Sequence, residues 1–262
     1  MTTGIIIQAR TGSSRLPNKA FLPIGDRASL AWCIGQCKKM EGIDKIILAT
    51  TRREEDKKLK RFCYGDNMHF YQGRRDDLIA RHYGAAQRYG IDTIVRVTGD
   101  SPVFCPEMGE YLLKNHLENK ADYTEALEIV PGTSCQIWSY NAFEKLTEMN
   151  IGQQYTEHMS FFVLQNPDKF KIVKVKFIPS CFRKYRLTLD YPEDLEMFNA
   201  LFKTMEGTGI DMNQFCLQNI YDCLEKHPEI SSINQHLTNA YDSKEMQQAL
   251  RLENDRINLA YF

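Results

Sequence analysis

No stretch of this chain approaches the roughly 20 consecutive apolar residues that a membrane-spanning helix requires. The first apolar run begins at about residue 4, which leaves no space for the charged and apolar regions of a secretory leader. Neither sign of charge is in excess: 33 Lys and Arg face 34 Asp and Glu, a formal charge of -1. That balance argues against a general nucleic-acid or membrane-surface binder, so any anion site must be local. The eight cysteines (33, 37, 63, 105, 135, 181, 216 and 223) form no C-x-x-C pair and share no metal-ligand cluster with histidines. They read as core residues of a reduced, cytoplasmic protein. There is no Walker A loop, no G-x-G-x-x-G, no D-x-D pair, no internal repeat and no low-complexity linker.

What is present is a periodic, core-forming chain, 43% hydrophobic over 262 residues, enough to bury a full-sized core. Residues 4–9 (GIIIQA) are too short for a helix and rich in β-branched side chains. Leu30, Cys33, Ile34 and Cys37 then recur at helical spacing behind Ser29, a candidate N-cap. The reading continues with a strand at 45–51, a charged helix at 53–63, a short strand at 69–71, a helix at 77–89 and a strand at 93–98. This alternation predicts an α/β fold with a mostly parallel sheet wound by helices on both faces. Helices are expected at 106–119, 154–165 and 192–205, and strands at 170–177 and 185–190. From residue 211 the chain reads as wholly helical, ending in a polar amphipathic segment at 244–259. The expected division is an α/β domain over 1–207 and a helical C-terminal extension over 208–262 packed on it.

Three segments carry candidate chemistry. The first strand runs into IIIQARTGSSRLPNKAFLPIG (5–25), where Arg10, Arg15 and Lys19 surround Gly12, Ser13 and Ser14. Successive backbone amides in such a turn can form an anion-binding concavity, and three cations suit the charge of a triphosphate. A solvated basic turn has the same composition. Asp100 follows Gly99 at the end of the 93–98 strand, where ligands of parallel sheets bind. It could hold Mg²⁺ together with phosphate oxygens, or merely shape the turn before Ser101-Pro102. Asp190, before Pro192-Glu193-Asp194, could cap the next helix, bind a metal, or both.

The segments IIIQARTGSSRLPNKAFLPIG, FYQGRRDDLIARHYGAA, IVRVTGDSPVFCP, YTEHMSFFVLQNPDKF and YRLTLDYPEDLE occur in this order over residues 4 to 205. Together they resemble the cytidylyltransferases related to CMP-Kdo and CMP-sialate synthetases, in the branch typified by the spore-coat polysaccharide protein SpsF. The resemblance implies a nucleotidyltransferase (Rossmann-like) fold that takes CTP and a small anionic acceptor, phosphate or carboxylate, and releases pyrophosphate. It implies that Arg10, Arg15 and Lys19 act on the triphosphate, within a loop completed by Gln8, Ala9, Thr11, Gly12, Ser13 and Ser14. It puts Gln72, Gly73, Arg81 and Thr98 near the nucleotide and has Asp100 and Asp190 hold Mg²⁺. Acceptor-side candidates are Glu157, His158, Lys184 and Arg186, although His158 could equally face a helix core.

The chain departs from the family pattern at several positions. Asn18 replaces a frequent Gly, Ala20-Phe21 replaces Val-Leu, and Arg74-Arg75 stands where acidic or small residues are common. Thr156 replaces an Arg, which opens the question of the acceptor more than that of the nucleotide. A glycosyltransferase working from a nucleotide-sugar and a non-catalytic nucleotide- or sugar-binding module are the rival readings. The missing D-x-D weighs against the first, and retention of all five charged positions weighs against the second. A homodimer pairing through the 170–177 region or the helical C-terminus is an arrangement the sequence allows.

Overall fold

The computed structural model describes residues 1–149, 159–176 and 183–242. Strands β1 (Thr3–Gln8), β2 (Pro23–Ile24), β3 (Arg27–Ala28), β4 (Lys45–Thr51) and β5 (Met68–Gly73) lead to β6 (Thr93–Thr98), β7 (Tyr123–Leu127), β8 (Gln136–Ser139) and β9 (Ile172–Lys176). Seven of them form one sheet in the order β5-β4-β1-β6-β8-β7-β9, while β2 and β3 pair apart as a short ribbon. The β5-β4-β1-β6 half is wholly parallel, and β8 runs against both its neighbours. The expected mostly parallel sheet is therefore present.

Helices α1 (Ser29–Lys39) and α3 (Pro106–Asn119) cover one face, and α2 (Leu78–Tyr89), α4 (Tyr140–Glu148) and α5 (Met159–Leu164) the other. The two-residue repeat of a strand divides the apolar runs between these layers. Ile5 and Ile7, Ile46 and Leu48, and Val95 and Val97 face α1 and α3. Ile6, Ile47, Ala49 and Ile94 face α2 and α4. A third core joins α6 (Pro192–Gly207), α7 (Leu217–Lys226) and α8 (Pro228–Ser232) around Trp32, Leu187, Leu189, Phe198, Phe202 and Ile220.

Several expectations change in detail. The charged helix begins at Glu54 and is a 3₁₀ helix, Glu54–Phe62. Its buried residues, Asp56, Leu59 and Phe62, recur every third position, which is the period of a 3₁₀ turn. Ser29 is the first helical residue of α1 rather than its cap, and its hydroxyl donates to the Lys19 carbonyl at 2.6 Å. Residues 185–190, expected as a strand, join no sheet ladder. They hang from two loops, with Leu187 N donating to Pro131 O and Leu189 N to Asp100 O, both at 2.9 Å. Gly132 permits that approach: its φ is +92°, and a Cβ there would lie 1.9 Å from the Leu187 carbonyl oxygen. Residues 154–158 of the expected 154–165 helix, and the whole 244–259 segment, lie outside the described residues; within the first, α5 covers Met159–Leu164.

Strand connections leave β1 toward β4 and β5 and return to β6 on its other side. The carboxyl ends of β1 and β6 thus flank the point where the winding reverses, the position at which open α/β sheets bind ligands. Residues 9–19 follow β1, and Gly99-Asp100 follow β6. Among the described residues, no helix is long and apolar enough to cross a membrane.

Candidate active site

The loop after β1 is held from below by one carboxylate. Thr11 is buried, and both its amide and its hydroxyl donate to Asp56 Oδ1 at 2.8 Å. The other Asp56 oxygen accepts the Thr51 hydroxyl at the end of β4. Farther along, Ser13 N and Asn18 N both donate to Thr11 O, and Leu16 N donates to the Ser13 hydroxyl. Asn18 has φ +56°, a left-handed conformation that Asn tolerates better than most residues. Among the described residues, the amides of Gly12 and Ser14 donate to no protein acceptor, as an anion-binding turn requires.

Across from this loop stand the two carboxylates. Lys19 Nζ donates to Asp100 Oδ2 at 2.6 Å and to Asp190 Oδ1 at 2.9 Å, and Arg15 reaches Asp190 Oδ1 at 3.2 Å. Burial opposes the Lys19 ammonium, but the charges of Asp100 and Asp190 outweigh it and raise its pKa above the ordinary value. Burial also opposes the Asp190 carboxylate, and Lys19, Arg15 and Arg186 together hold it below the usual carboxylate range. Asp190 thus remains ionised. The acid that caps the start of α6 is Asp194, which accepts the amides of Asp190 (2.8 Å) and Tyr191 (3.0 Å). The Asp190 carboxylate instead accepts from Lys19, Arg15 and Arg186.

Two carboxylate oxygens that reach one ammonium nitrogen converge on the space of a single cation. Among the described residues no cluster of three or more His, Cys, Asp and Glu could hold a metal ion by itself. A pair of carboxylates facing a phosphate-binding loop suits Mg²⁺, which commonly takes one or two carboxylates and completes its shell with water and phosphate oxygens.

Loop and carboxylates open on a cavity of about 740 Å³. Of the expected residues, Gln8, Ala9, Arg10, Ser13, Ser14, Arg15 and Lys19 line it, as do Arg81, Thr98, Asp100 and Asp190. Thr11 lies beneath as the anchor to Asp56. Gly73 lines a neighbouring cavity of about 610 Å³ with Arg52, Arg53, Arg74 and Arg75, and Gln72 Nε2 donates to Thr51 O at 2.9 Å. Arg81 spends its guanidinium on the carbonyls of Arg74 and Arg75 at 2.6–2.9 Å, so it shapes that loop. Burial, together with the nearby charge of Arg10, lowers its pKa to about 10.

On the acceptor side the placement differs from expectation. Arg186 does not face the cavity: its side chain is 1% exposed and lies behind Asp190, with Nη2 on Asp190 Oδ2 at 3.0 Å and a two-point bond to Asp194. Lys184 is exposed and lines neither cavity, and Glu157 and His158 lie outside the described residues. Sequence reasoning missed Asp56, Asp194 and Arg96. Arg96 lines the cavity, with Nε on Gln8 Oε1 at 3.2 Å and Nη1 on Gln136 Oε1 at 2.7 Å. A cation at an alternate, inward position of a central strand was the available signal for Arg96. Asp56 offered none within a run of charged residues.

Residues 4–244 match the cytidylyltransferase family model, and the chain belongs to that family. It is 28% identical over 207 residues to the spore coat polysaccharide biosynthesis protein SpsF of Bacillus subtilis, covering 76% of this chain and 85% of that one. Among solved structures, a cytidylyltransferase from Leptospira borgpetersenii superposes with a TM-score of 0.80 at 28% identity, covering 88% of this chain and 97% of that one. A CMP:2-keto-3-deoxy-manno-octonic acid synthetase, solved in complex with CTP, has the same fold, with a TM-score of 0.60 at 15% identity over 78% of this chain and 99% of that one.

Proposed function

We propose that this member of the cytidylyltransferase family transfers CMP from CTP to a small anionic acceptor and releases pyrophosphate. The observation that carries the reading is the convergence of Asp100 and Asp190 on Lys19, opposite the loop that follows β1. Arg10, Arg15 and Lys19 would hold the triphosphate, helped by the Gly12 and Ser14 amides and the Ser13 and Ser14 hydroxyls. Gln72, Gly73, Arg81 and Thr98 would lie along the nucleoside. Asp100 and Asp190 would hold Mg²⁺, which supplies charge neutralisation on the phosphoryl oxygens and in-line geometry when bound.

The chemistry asks for position and charge more than for a strong base. An ionised acceptor oxygen forms a bond to the α-phosphorus while the bond from that phosphorus to the α,β-bridging oxygen breaks. Pyrophosphate leaves with the electron pair, and no proton need be removed from the acceptor. Arg10, Arg15 and Lys19 offset the charge that builds on the departing phosphates. The same cavity is also lined by Gln8, Arg96, Ser134, Gln136, Ser160 and Thr188. One cation among amides and hydroxyls fits an acceptor with a single phosphate or carboxylate and several hydroxyls. Such a product would suit surface polysaccharide or capsule precursor synthesis; the SpsF relative is named for spore coat polysaccharide biosynthesis.

The test is incubation with CTP, Mg²⁺ and a panel of sugar acids and sugar or polyol phosphates, following pyrophosphate. Release that needs both CTP and one acceptor class supports the reading. Turnover of a nucleotide-sugar without pyrophosphate would replace it with glycosyl transfer.

A further inference from the structure

Asp190 is one half of the carboxylate pair, and its position is set from behind by a buried polar chain. Asp194, fully buried, accepts five hydrogen bonds. Arg186 Nε (2.9 Å) and Asn234 Nδ2 (2.8 Å) reach its Oδ1, while Arg186 Nη2 (3.1 Å) and the amides of Asp190 and Tyr191 reach its Oδ2. Arg186 in turn donates to Asp190 Oδ2 at 3.0 Å. Asp194 therefore orients both the backbone of Asp190 and the guanidinium that grips its carboxylate.

Asn234 is the member of this chain that comes from elsewhere in the sequence. It follows α8, some 40 residues beyond Asp194, and is 1% exposed. Its Nδ2 donates to Asp194 Oδ1 and also to the Arg186 carbonyl at 3.0 Å, so both N–H bonds of the amide are used on the two residues that hold Asp190. An uncharged side chain of this size that supplies two N–H donors is an asparagine. Aspartate would oppose Asp194 with a like charge, and leucine would leave two buried acceptors short. The segment carrying Asn234 is seated by Ile220, Leu224 and Ile230 against Phe198, Leu201 and Met205 of α6.

We propose that Asn234 is a positioning residue for the cation site, and that the C-terminal extension is thereby a structural part of the active centre. The inference rests on the reading of Asp190 as a metal ligand. Groups that orient metal ligands from behind typically carry about 10- to 100-fold of metal affinity. Asn234 acts one step farther out, through Asp194 and Arg186, which puts the expected effect at the lower end.

The experiment titrates the full chain with Mn²⁺ alone, read by loss of the free-ion paramagnetic resonance signal. In parallel, hydrogen exchange follows the peptide holding the Asp190 and Tyr191 amides in metal-free protein. Asn234→Ala is expected to weaken Mn²⁺ by about tenfold and to speed exchange at that peptide. Asn234→Asp should weaken Mn²⁺ further. Ile230→Ala, which empties the core of the same extension without touching these hydrogen bonds, should lower stability and leave Mn²⁺ affinity unchanged. Wild-type affinity and exchange in Asn234→Ala, or an equal affinity loss in Ile230→Ala, would overturn the proposal. Asp190→Asn separates the two readings: if it keeps wild-type Mn²⁺ affinity, the metal assignment fails, while the exchange data still decide whether Asn234 orders the Asp190 backbone.

Discussion

The Lys19 ammonium lies 2.9 Å from Asp190 Oδ1, and the same nitrogen lies 2.6 Å from Asp100 Oδ2. One cation thus bridges acids from two distant parts of the chain, one after β6 and one before α6. Lys19→Met should cost about 10²- to 10³-fold in kcat, the loss typical of removing one charge-stabilising donor from a preorganised site. It should also tighten Mn²⁺ binding in the absence of CTP, because the ammonium and a divalent ion compete for the same oxygens. Steady-state pyrophosphate release and a Mn²⁺ titration check the two halves. Unchanged metal affinity would mean that Lys19 does not occupy the cation position.

Asp56 anchors the loop from outside the lining of both cavities. Asp56→Ala strands the Thr11 amide and two threonine hydroxyls, and a buried unpaired donor costs about 1–3 kcal/mol. Thr11→Val removes one hydroxyl and keeps the backbone bond, so it should cost about 1 kcal/mol. Both should raise KM for CTP more than they lower kcat, since the loop's resting geometry is what they disturb. Chemical denaturation and nucleotide kinetics on the same preparations measure it.

Arg186 gives a prediction in which two roles diverge. If it touched the acceptor, Arg186→Lys would change the acceptor KM and spare stability. Its buried fork on Asp190 and Asp194 instead implies a structural loss, because an ammonium cannot span both carboxylates as a guanidinium does. Breaking a buried pair typically costs about 3–5 kcal/mol, and the lysine variant should lose a part of that. A lowered unfolding midpoint with unchanged acceptor KM is the expected outcome.

The parts of this site legible in sequence were those with a local signature. Ile5–Ile7 followed by Arg10, Gly12 and Lys19, and Gly99-Asp100 after a β-branched run, announced a strand end and its loop before any contact was known. The helix read at 77–89 is α2, which Asp77 caps and Gly90 ends in a left-handed conformation. What stayed hidden depended on long-range pairing. Asp190 and Asp194 are equally good helix-start acids in sequence, and which one caps and which faces Lys19 is settled by a residue 171 positions away. Arg186 read as an acceptor ligand because its charge was visible while its burial behind Asp190 was not. Likewise, the 185–190 run has strand composition, but its partners are loops at Asp100 and Pro131.

Two buried histidines set the acid side of the stability profile. His82 is fully buried, its Nδ1–H donates to Leu78 O at 2.9 Å and its ring stacks parallel to Phe143 at 5.9 Å. Burial, reinforced by the charges of Arg96 and Arg81, lowers its pKa to about 3. His116 is lowered to about 4, again by burial, against a small opposing effect of Asp122. Both values lie below the ordinary 6.5, so between that pH and about 4 the unfolded chain binds protons that the folded chain refuses. The stability these neutral rings contribute is complete above pH 6.5 and falls as pH drops, by about 1.4 kcal/mol per unit for each histidine. His82→Leu should remove about one proton from that dependence and leave a shallower slope between pH 6.5 and 4.5. Urea titrations at several pH values give the slope directly. A variant slope equal to that of the wild type would mean that His82 carries its proton in the folded protein.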